Sequence, residues 1–141
     1  MIISVSEENV NVWADLCKQL WPDCSIDELV ESFREGKENA FMYLIDNHYI
    51  AFINLSIRRD YVEGTESRPV GYIEGIYVNP SYRGQGISRL FIGFAEKWSI
   101  ENGCKELASD CELVNSSSIE FHKRVGFTEA NRIVCFTKKL T

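Results

Sequence analysis

Three features of this sequence could do chemistry. The first is the run Arg83-Gly84-Gln85-Gly86-Ile87-Ser88, which follows a strand-like segment and leads into a long apolar-periodic stretch. Glycines let backbone N–H groups approach an anion, and the N-terminus of the helix behind them adds partial positive charge, so this turn reads as a pyrophosphate cradle. No Lys-Ser/Thr pair follows the last glycine, which excludes a Walker loop, and the three-glycine dinucleotide spacing is missing. The second feature is Glu74, inside the strand-like run Val70 to Val78, where strict alternation places it on one face with Tyr72, Ile76 and Val78. A carboxylate among apolar neighbours needs a partner or a purpose. The third is Asp110, at the C-terminal end of the strand-like run that starts at Cys104. Either carboxylate could hold a cation or take up a proton. Cys111 is a conceivable nucleophile, but no base is placed beside it in sequence.

The elements that must position these groups are legible from periodicity. Ile2 to Val5 starts a strand, and Val10, Trp13, Cys17 and Leu20 define an amphipathic helix over Ser6 to Leu20, ended by Pro22. Ser25-Ile26-Asp27-Glu28 has the capping-box form of a second helix, which Gly36 stops. Phe41 to Asp46 and Tyr49 to Ile57 read as an antiparallel hairpin, and Arg58 to Pro69 as a long polar loop. After the strand Val70 to Val78 and the Asn79-Pro80 break comes a helix in which Ile87, Leu90, Phe91, Phe94, Ala95 and Trp98 keep the 3.6-residue period. Asn115 to Arg124 is a short helix stopped by Gly126, and Phe127 to Lys138 reads as a final strand or two. The expectation is a single α+β domain over residues 1–141, with a mixed, mostly antiparallel twisted sheet flanked by helices.

Composition narrows the function class. The 141 residues are 45% hydrophobic, with eight Phe and three Trp, which is enough for a packed core. No run approaches the roughly 18–20 apolar residues of a membrane span, and Met1 to Glu8 lacks the features of a secretory signal. A cytoplasmic protein is expected. Five cysteines without C-x-x-C spacing argue against a disulfide framework and against a metal site, and read as mostly buried thiols. Net charge is −6, a poor match for nucleic acid. Residues 1–57 hold ten carboxylates against three Lys/Arg, and residues 58–141 eleven against twelve. That asymmetry fits a cationic substrate meeting a phosphorylated cofactor, and equally fits acids that solvate two N-terminal helices.

The strand, the Asn79-Pro80 break, Arg83-x-x-Gly86-x-Ser88 and the helix together resemble the acetyl-CoA motif of the GCN5-related N-acetyltransferase (GNAT) superfamily, Gln/Arg-x-x-Gly-x-Gly/Ala. Ser88 replaces the last small residue and is also able to cap the helix. Asn115 followed by Phe121-His122-Lys123-Arg124-Val125-Gly126-Phe127 resembles the superfamily's C-terminal signature, with His122 where a Tyr is usual. Four further blocks resemble the aminoglycoside 6'-N-acetyltransferases: Gln19-Leu20-Trp21-Pro22, Ser56 to Gly64, Glu74 to Val78, and Ala108-Ser109-Asp110. That resemblance runs from about Asp15 to the C-terminus.

The resemblance implies a GNAT fold whose strands splay at the acetyl-CoA site. It implies cofactor contacts from Ile76, Tyr77, Val78, the turn Arg83 to Ser88, Arg89 and Asn115. Acetyl transfer to the 6'-amine of an aminoglycoside would proceed by direct attack in a ternary complex. Glu74 and Asp110 would line the amine cleft, with the base unresolved between them and Asp110 gripping the ring that bears the amine. Trp21 and Tyr61 would offer flat surfaces to the sugars, and backbone N–H groups near Ile76 to Val78 would polarise the acetyl carbonyl. Either His122 protonates the departing thiolate or solvent does. Where relatives carry a further substrate-contacting acid this chain has Asn131, with Glu129 two residues earlier. Relatives commonly form homodimers, and the apolar run Ile133 to Thr137 is a candidate for exchange between subunits. The rival readings are a GNAT enzyme acting on a polyamine or a protein N-terminus, and a non-catalytic acetyl-CoA sensor. Retention of both acids argues against the sensor.

Overall fold

A computed structural model describes all 141 residues. In chain order the elements are β1 (Ile2–Ser4), α1 (Val10–Leu20), α2 (Ile26–Arg34), β2 (Asn39–Ile45), β3 (His48–Arg58), β4 (Val70–Val78), a 3-10 turn (Pro80–Tyr82), α3 (Ile87–Glu101), β5 (Leu107–Ser109) and α4 (Ser116–Arg124). The strands form one sheet in the order β1-β2-β3-β4-β5. The first four are antiparallel neighbours, and β5 runs parallel to β4. This is the mixed sheet flanked by helices that the sequence predicts.

Local chemistry sets most boundaries. The Ser25 hydroxyl accepts from the Glu28 N–H at 3.1 Å and opens α2. Asp46 and Asn47 both take positive φ (48° and 65°) in the tight β2–β3 hairpin turn. The first helix starts at Val10 rather than Ser6, because the Asn9 side chain closes a separate turn by accepting from the Ser6 N–H at 2.8 Å. The strand expected from Cys104 shortens to Leu107–Ser109.

Alternation along β3 divides the core between two sheet faces. Phe52 joins Trp13, Ala14, Cys17, Val30 and Met42 under α1 and α2. Ala51, Ile53 and Leu55 join Phe91, Ile92 and Ala95 under α3. On the α1 face the buried Trp13 indole donates to the Asn54 side-chain oxygen at 2.8 Å, which satisfies two polar groups inside the core. Leu90, expected on the buried stripe of α3, is exposed, and Ile92 is buried in its stead. Of the five cysteines, Cys17 and Cys104 are buried, Cys24 is half-buried, and Cys111 and Cys135 are exposed, which corrects the expectation of mostly buried thiols.

Two irregularities shape the site. Asn54 faces Gly75 but Leu55 faces Ile73, so Glu74 is an extra residue in β4, a β-bulge. The bulge cancels the alternation expected from sequence. Glu74 shares the α1 face with Tyr72, whereas Ile76 and Val78 belong to the α3 face. In addition β5 pairs with β4 only over Gly71↔Leu107, Tyr72↔Ala108 and Ile73↔Ser109. Beyond Ile73 the two strands part, and the sheet opens between them.

The expected strand over Phe127 to Lys138 does not form. Residues 127–141 lack regular secondary structure, and Ile133, Val134, Phe136 and Leu140 are 70%, 73%, 89% and 87% exposed. A strand needs a neighbour for its backbone groups, and this segment pairs with none as it passes the loop before β4. There Ala130 lies against Gly64 and Asn131 bonds Glu63. No helix is long and apolar enough to cross a membrane.

Candidate functional site

The glycine turn is held open on its outer side. Gly84 and Gly86 sit at φ 81° and 82°, a backbone region that L side chains rarely adopt, and a Cβ on either would meet nothing within 4 Å. The Arg83 Nε fastens the turn by donating to the Val78 carbonyl at 2.8 Å. Gly86 is the N-cap of α3 and supplies no side-chain acceptor, so the first N–H groups of the helix stay available to a ligand. Ser88 lies inside the helix and does not cap it, which corrects the expectation from sequence. A cleft of about 340 Å³ lies over the turn, lined by Arg83, Gly84, Gly86, Ser88 and Arg89, together with Phe121 and Arg124 from α4. Three arginines and a helix N-terminus around one cleft describe a site for a phosphorylated molecule.

Val78 and Ile87 also line this cleft, while Ile76, Tyr77, Gln85 and Asn115 lie outside it. Tyr77 points to the other face, stacks on Phe52 with centroids 6.1 Å apart, and donates to Gln19 at 2.7 Å. The Asn115 side-chain oxygen Oδ1 caps α4 by accepting from the Ser118 N–H at 3.1 Å. Phe121 and Arg124 were not singled out from sequence. Their i, i+3 spacing on a predicted helix was the available signal.

On the opposite face, at the opening of the sheet, the two predicted carboxylates belong to one network. Glu74 accepts a bidentate pair from Arg58 at 3.0 and 2.7 Å, and the Ser56 hydroxyl bonds the same carboxylate. The Arg58 guanidinium lies 3.4 Å from the centroid of the Tyr72 ring. The Tyr72 hydroxyl in turn donates to Asp110 Oδ2. Burial, with the bond to Asp110 second, pushes the Tyr72 phenol well above its ordinary range, so it stays a donor at neutral pH. Ser56 and Arg58 carry no signal as site residues in the sequence, because only the β3–β4 register brings them to Glu74, whereas Tyr72 shares the strand and face of Glu74 as alternation predicts.

Glu38 carries no such signal either. Two residues ahead of the buried Ala40, this half-buried side chain is pushed above the ordinary glutamate value of 4.5, first by burial and then by the charge of Glu74. A folded state that holds a proton more tightly than the unfolded chain loses stability as pH rises from 4.5 through the raised value. Glu38→Gln is therefore expected to raise the thermal midpoint slightly at pH 7. The gain should vanish when melts are repeated well below pH 4.5, and an unchanged midpoint at pH 7 would contradict this.

At the rim, Glu63 accepts from Tyr61 at 3.3 Å and from Asn131 at 3.2 Å, so the structure brings those two expected residues together around an unexpected acid. Glu129 pairs with Arg132 at 2.7 Å instead of standing beside Asn131. Trp21, at the end of α1, covers Gly75. A Cβ there would come within 2.4 Å of the indole ring. The glycine next to Glu74 thus seats the indole beside the acidic network.

His122 belongs to the α3 side. Its Nδ1 lies 2.7 Å from the Ser118 carbonyl oxygen, which only accepts, so Nδ1 carries the hydrogen. Nε2 lies 2.8 Å from the Ser109 hydroxyl oxygen, accepting from it when the nitrogen is bare and donating to it when the nitrogen carries a proton. The Phe127 ring packs against the imidazole with centroids 5.2 Å apart.

Comparison with known proteins identifies the relatives of this chain. The Acetyltransferase (GNAT) family profile matches residues 7–127. The aminoglycoside N(6')-acetyltransferase type 1 of Acinetobacter haemolyticus is 38% identical over 138 residues, covering 96% of this chain and 95% of that protein. Its counterpart in Salmonella typhimurium is 34% identical over 142 residues, covering 98% of each. Among solved structures, AAC(6')-Iy in complex with a bisubstrate analog, CoA-S-monomethyl-acetylneamine, superposes with a TM-score of 0.92 at 34% identity. The match covers 99% of this chain and 97% of that one. The apo structure of AAC(6')-IG from Acinetobacter haemolyticus gives a TM-score of 0.91 at 34% identity, covering 100% and 99%.

Proposed function

The chain belongs to the acetyltransferase (GNAT) family, and from that premise we propose that it is an acetyl-CoA-dependent aminoglycoside 6'-N-acetyltransferase. The observation that carries the substrate class is the network at the sheet opening. Two carboxylates stand on the α1 face, and the arginine-lined phosphate cleft stands on the α3 side of the same gap. A polycationic amine and a phosphorylated acyl donor would meet there from opposite sides.

The cradle fits acetyl-CoA, with open glycine faces at Gly84 and Gly86 and cationic walls from Arg83, Arg89 and Arg124. When bound, the donor supplies an activated thioester. Backbone N–H groups near Ile76 to Val78, beyond the bulge, would polarise its acetyl carbonyl. Asn115 would contact the arm of the donor through its free amide hydrogens. Asp110 has one oxygen engaged by Tyr72 and the other without a protein partner, so it is placed to hold an ammonium group. Both oxygens of Glu74 are occupied. Its charge steadies the site through Arg58, and either carboxylate, directly or through water, takes the proton of the amine before attack. Trp21 and Tyr61 would flank the sugar rings, with Glu63 and Asn131 at the far rim. His122 would serve the departing thiolate.

The test is thiol release from acetyl-CoA against kanamycin and tobramycin, with spermidine and short peptides in parallel. Aminoglycoside-dependent release with little from the others is expected. Release with spermidine or peptides alone would sink the substrate assignment.

We further propose a cytoplasmic homodimer without a nucleic-acid partner. The net charge of −6 opposes phosphate backbones, and acetyl-CoA is an intracellular donor. The exposed apolar tail from Ile133 and the unpaired outer edge of β5 are complementary. Exchange of tails between two copies would pair both edges and bury those side chains. Light scattering at micromolar concentration is expected to give about twice the chain mass of 16.2 kDa. Deletion of Ile133 to Thr141 should yield a monomer with a lower thermal midpoint. A wild-type mass near that of one chain would overturn the dimer.

A further inference from the structure

Strand alternation sends adjacent residues of β5 to the two sides of the opening. Leu107 packs in the α3-side cluster and Ala108 against the Tyr72 group on the other face. Asp110 follows Ala108, toward the Tyr72 hydroxyl. Ser109 follows Leu107, and its hydroxyl meets His122 of α4 at 2.8 Å. Ser109 is also the last residue of β5 paired to β4, opposite Ile73, so it stands where the strands begin to part. The phosphate cleft, with Phe121 and Arg124 of the same helix α4, is on the Ser109 side. The acid network is on the Asp110 side. An amine site and a leaving-group site are thereby separated by a single peptide bond.

The His122 ring is fixed by the Ser118 carbonyl at Nδ1, and its Nε2 is turned to Ser109. A proton on Nε2 therefore points at the Ser109 oxygen, at the mouth of the opening. We propose that Ser109 is a catalytic residue that relays a proton from His122 to the sulfur of the departing CoA, an inference that rests on the acetyl-transfer reading above. As the bond between the acyl carbon and sulfur breaks, its electron pair goes to sulfur. The Ser109 hydroxyl gives its proton to that sulfur and takes one from Nε2 of the imidazolium, which becomes the neutral Nδ1–H ring. The proton released by the attacking amine restores the imidazolium through solvent. The relay needs no group beyond the two substrates.

Ser109→Ala and Ser109→Thr test it. The alanine variant is expected to lose at least about tenfold in kcat, within the usual range for a general acid, with KM for acetyl-CoA changed by less than about twofold. The threonine variant keeps the hydroxyl and should recover most of the rate. Wild-type kcat in the alanine variant would overturn the relay. A second readout is independent of any acceptor amine. With uniformly 15N-labelled protein, CoA should move the imidazole resonances of His122 in the wild type, while desulfo-CoA should not, and in Ser109→Ala neither should. His48, the other histidine, is the internal reference. Should the wild type acetylate no aminoglycoside, the substrate assignment fails, and the resonances still decide the role of Ser109. If CoA and desulfo-CoA act alike on His122, the relay is wrong whatever the acceptor.

Discussion

Asp110→Asn is expected to fold as the wild type does and to lose at least about 100-fold in kcat/KM for kanamycin or tobramycin. The estimate reflects the usual worth of a positioned acid or base and of a charge-assisted grip on an ammonium. The amide retains the shape of the side chain and can still accept from Tyr72, so packing at the strand end should persist. What disappears is the negative charge on the oxygen that no protein group occupies. Glu74→Gln should lose a similar factor by a different route. The amide oxygen can keep one bond to Arg58, but the bidentate ion pair is broken, and a half-exposed cation is left beside the amine site. Because Arg58 also lies on the Tyr72 ring, the second variant is expected to disturb Asp110 in addition to Glu74. Their effects should therefore combine to less than the product of the two. Near-wild-type turnover by both variants, with unchanged circular dichroism, would show that the site is elsewhere.

Gly86→Val is expected to lower acetyl-CoA affinity by at least about 50-fold while leaving the acceptor site intact. Two physical effects act together. Gly86 sits at φ 82°, where a β-branched residue is strained by roughly 1–2 kcal/mol or more. Its missing side chain also points into open space at the mouth of the cleft, where a phosphate must approach the first N–H groups of α3. Gly93→Ala, in the interior of the same helix with nothing near its Cβ, is the control. It should bind acetyl-CoA as the wild type does and be slightly more stable, since alanine is the better helix former. Calorimetry showing equal acetyl-CoA binding by Gly86→Val and wild type would overturn the cradle.

Much of the scaffold was readable because its causes are local. The Ser25 cap, the Asp46-Asn47 turn, the period of α3 and the left-handed glycines of the turn at Gly84 and Gly86 each depend on a few consecutive residues. Asp110 is legible as a strand-end residue for the same reason, and β5 ends one residue before it, at Ser109, where the sheet opens. The bulge at Glu74 was not readable. It arises from a mismatch between two strands about twenty residues apart in sequence, and alternation along β4 alone predicts the wrong neighbours.

What the sequence determined by itself was the order of elements, the glycine turn ahead of α3 and the places of Glu74 and Asp110 along the chain, since propensity, capping and motif spacing are local. Tertiary structure alone decided which groups meet them. Arg58 and Ser56 reach Glu74 through the β3–β4 register, and Trp21 reaches Gly75 by packing of α1. Arg124 reaches the cradle, and His122 reaches Ser109, because α4 folds back over the opening. The tail from Phe127 to Thr141 shows the same division. Its residues favour a strand, but a strand exists only when another edge satisfies its backbone, and the tail pairs with none.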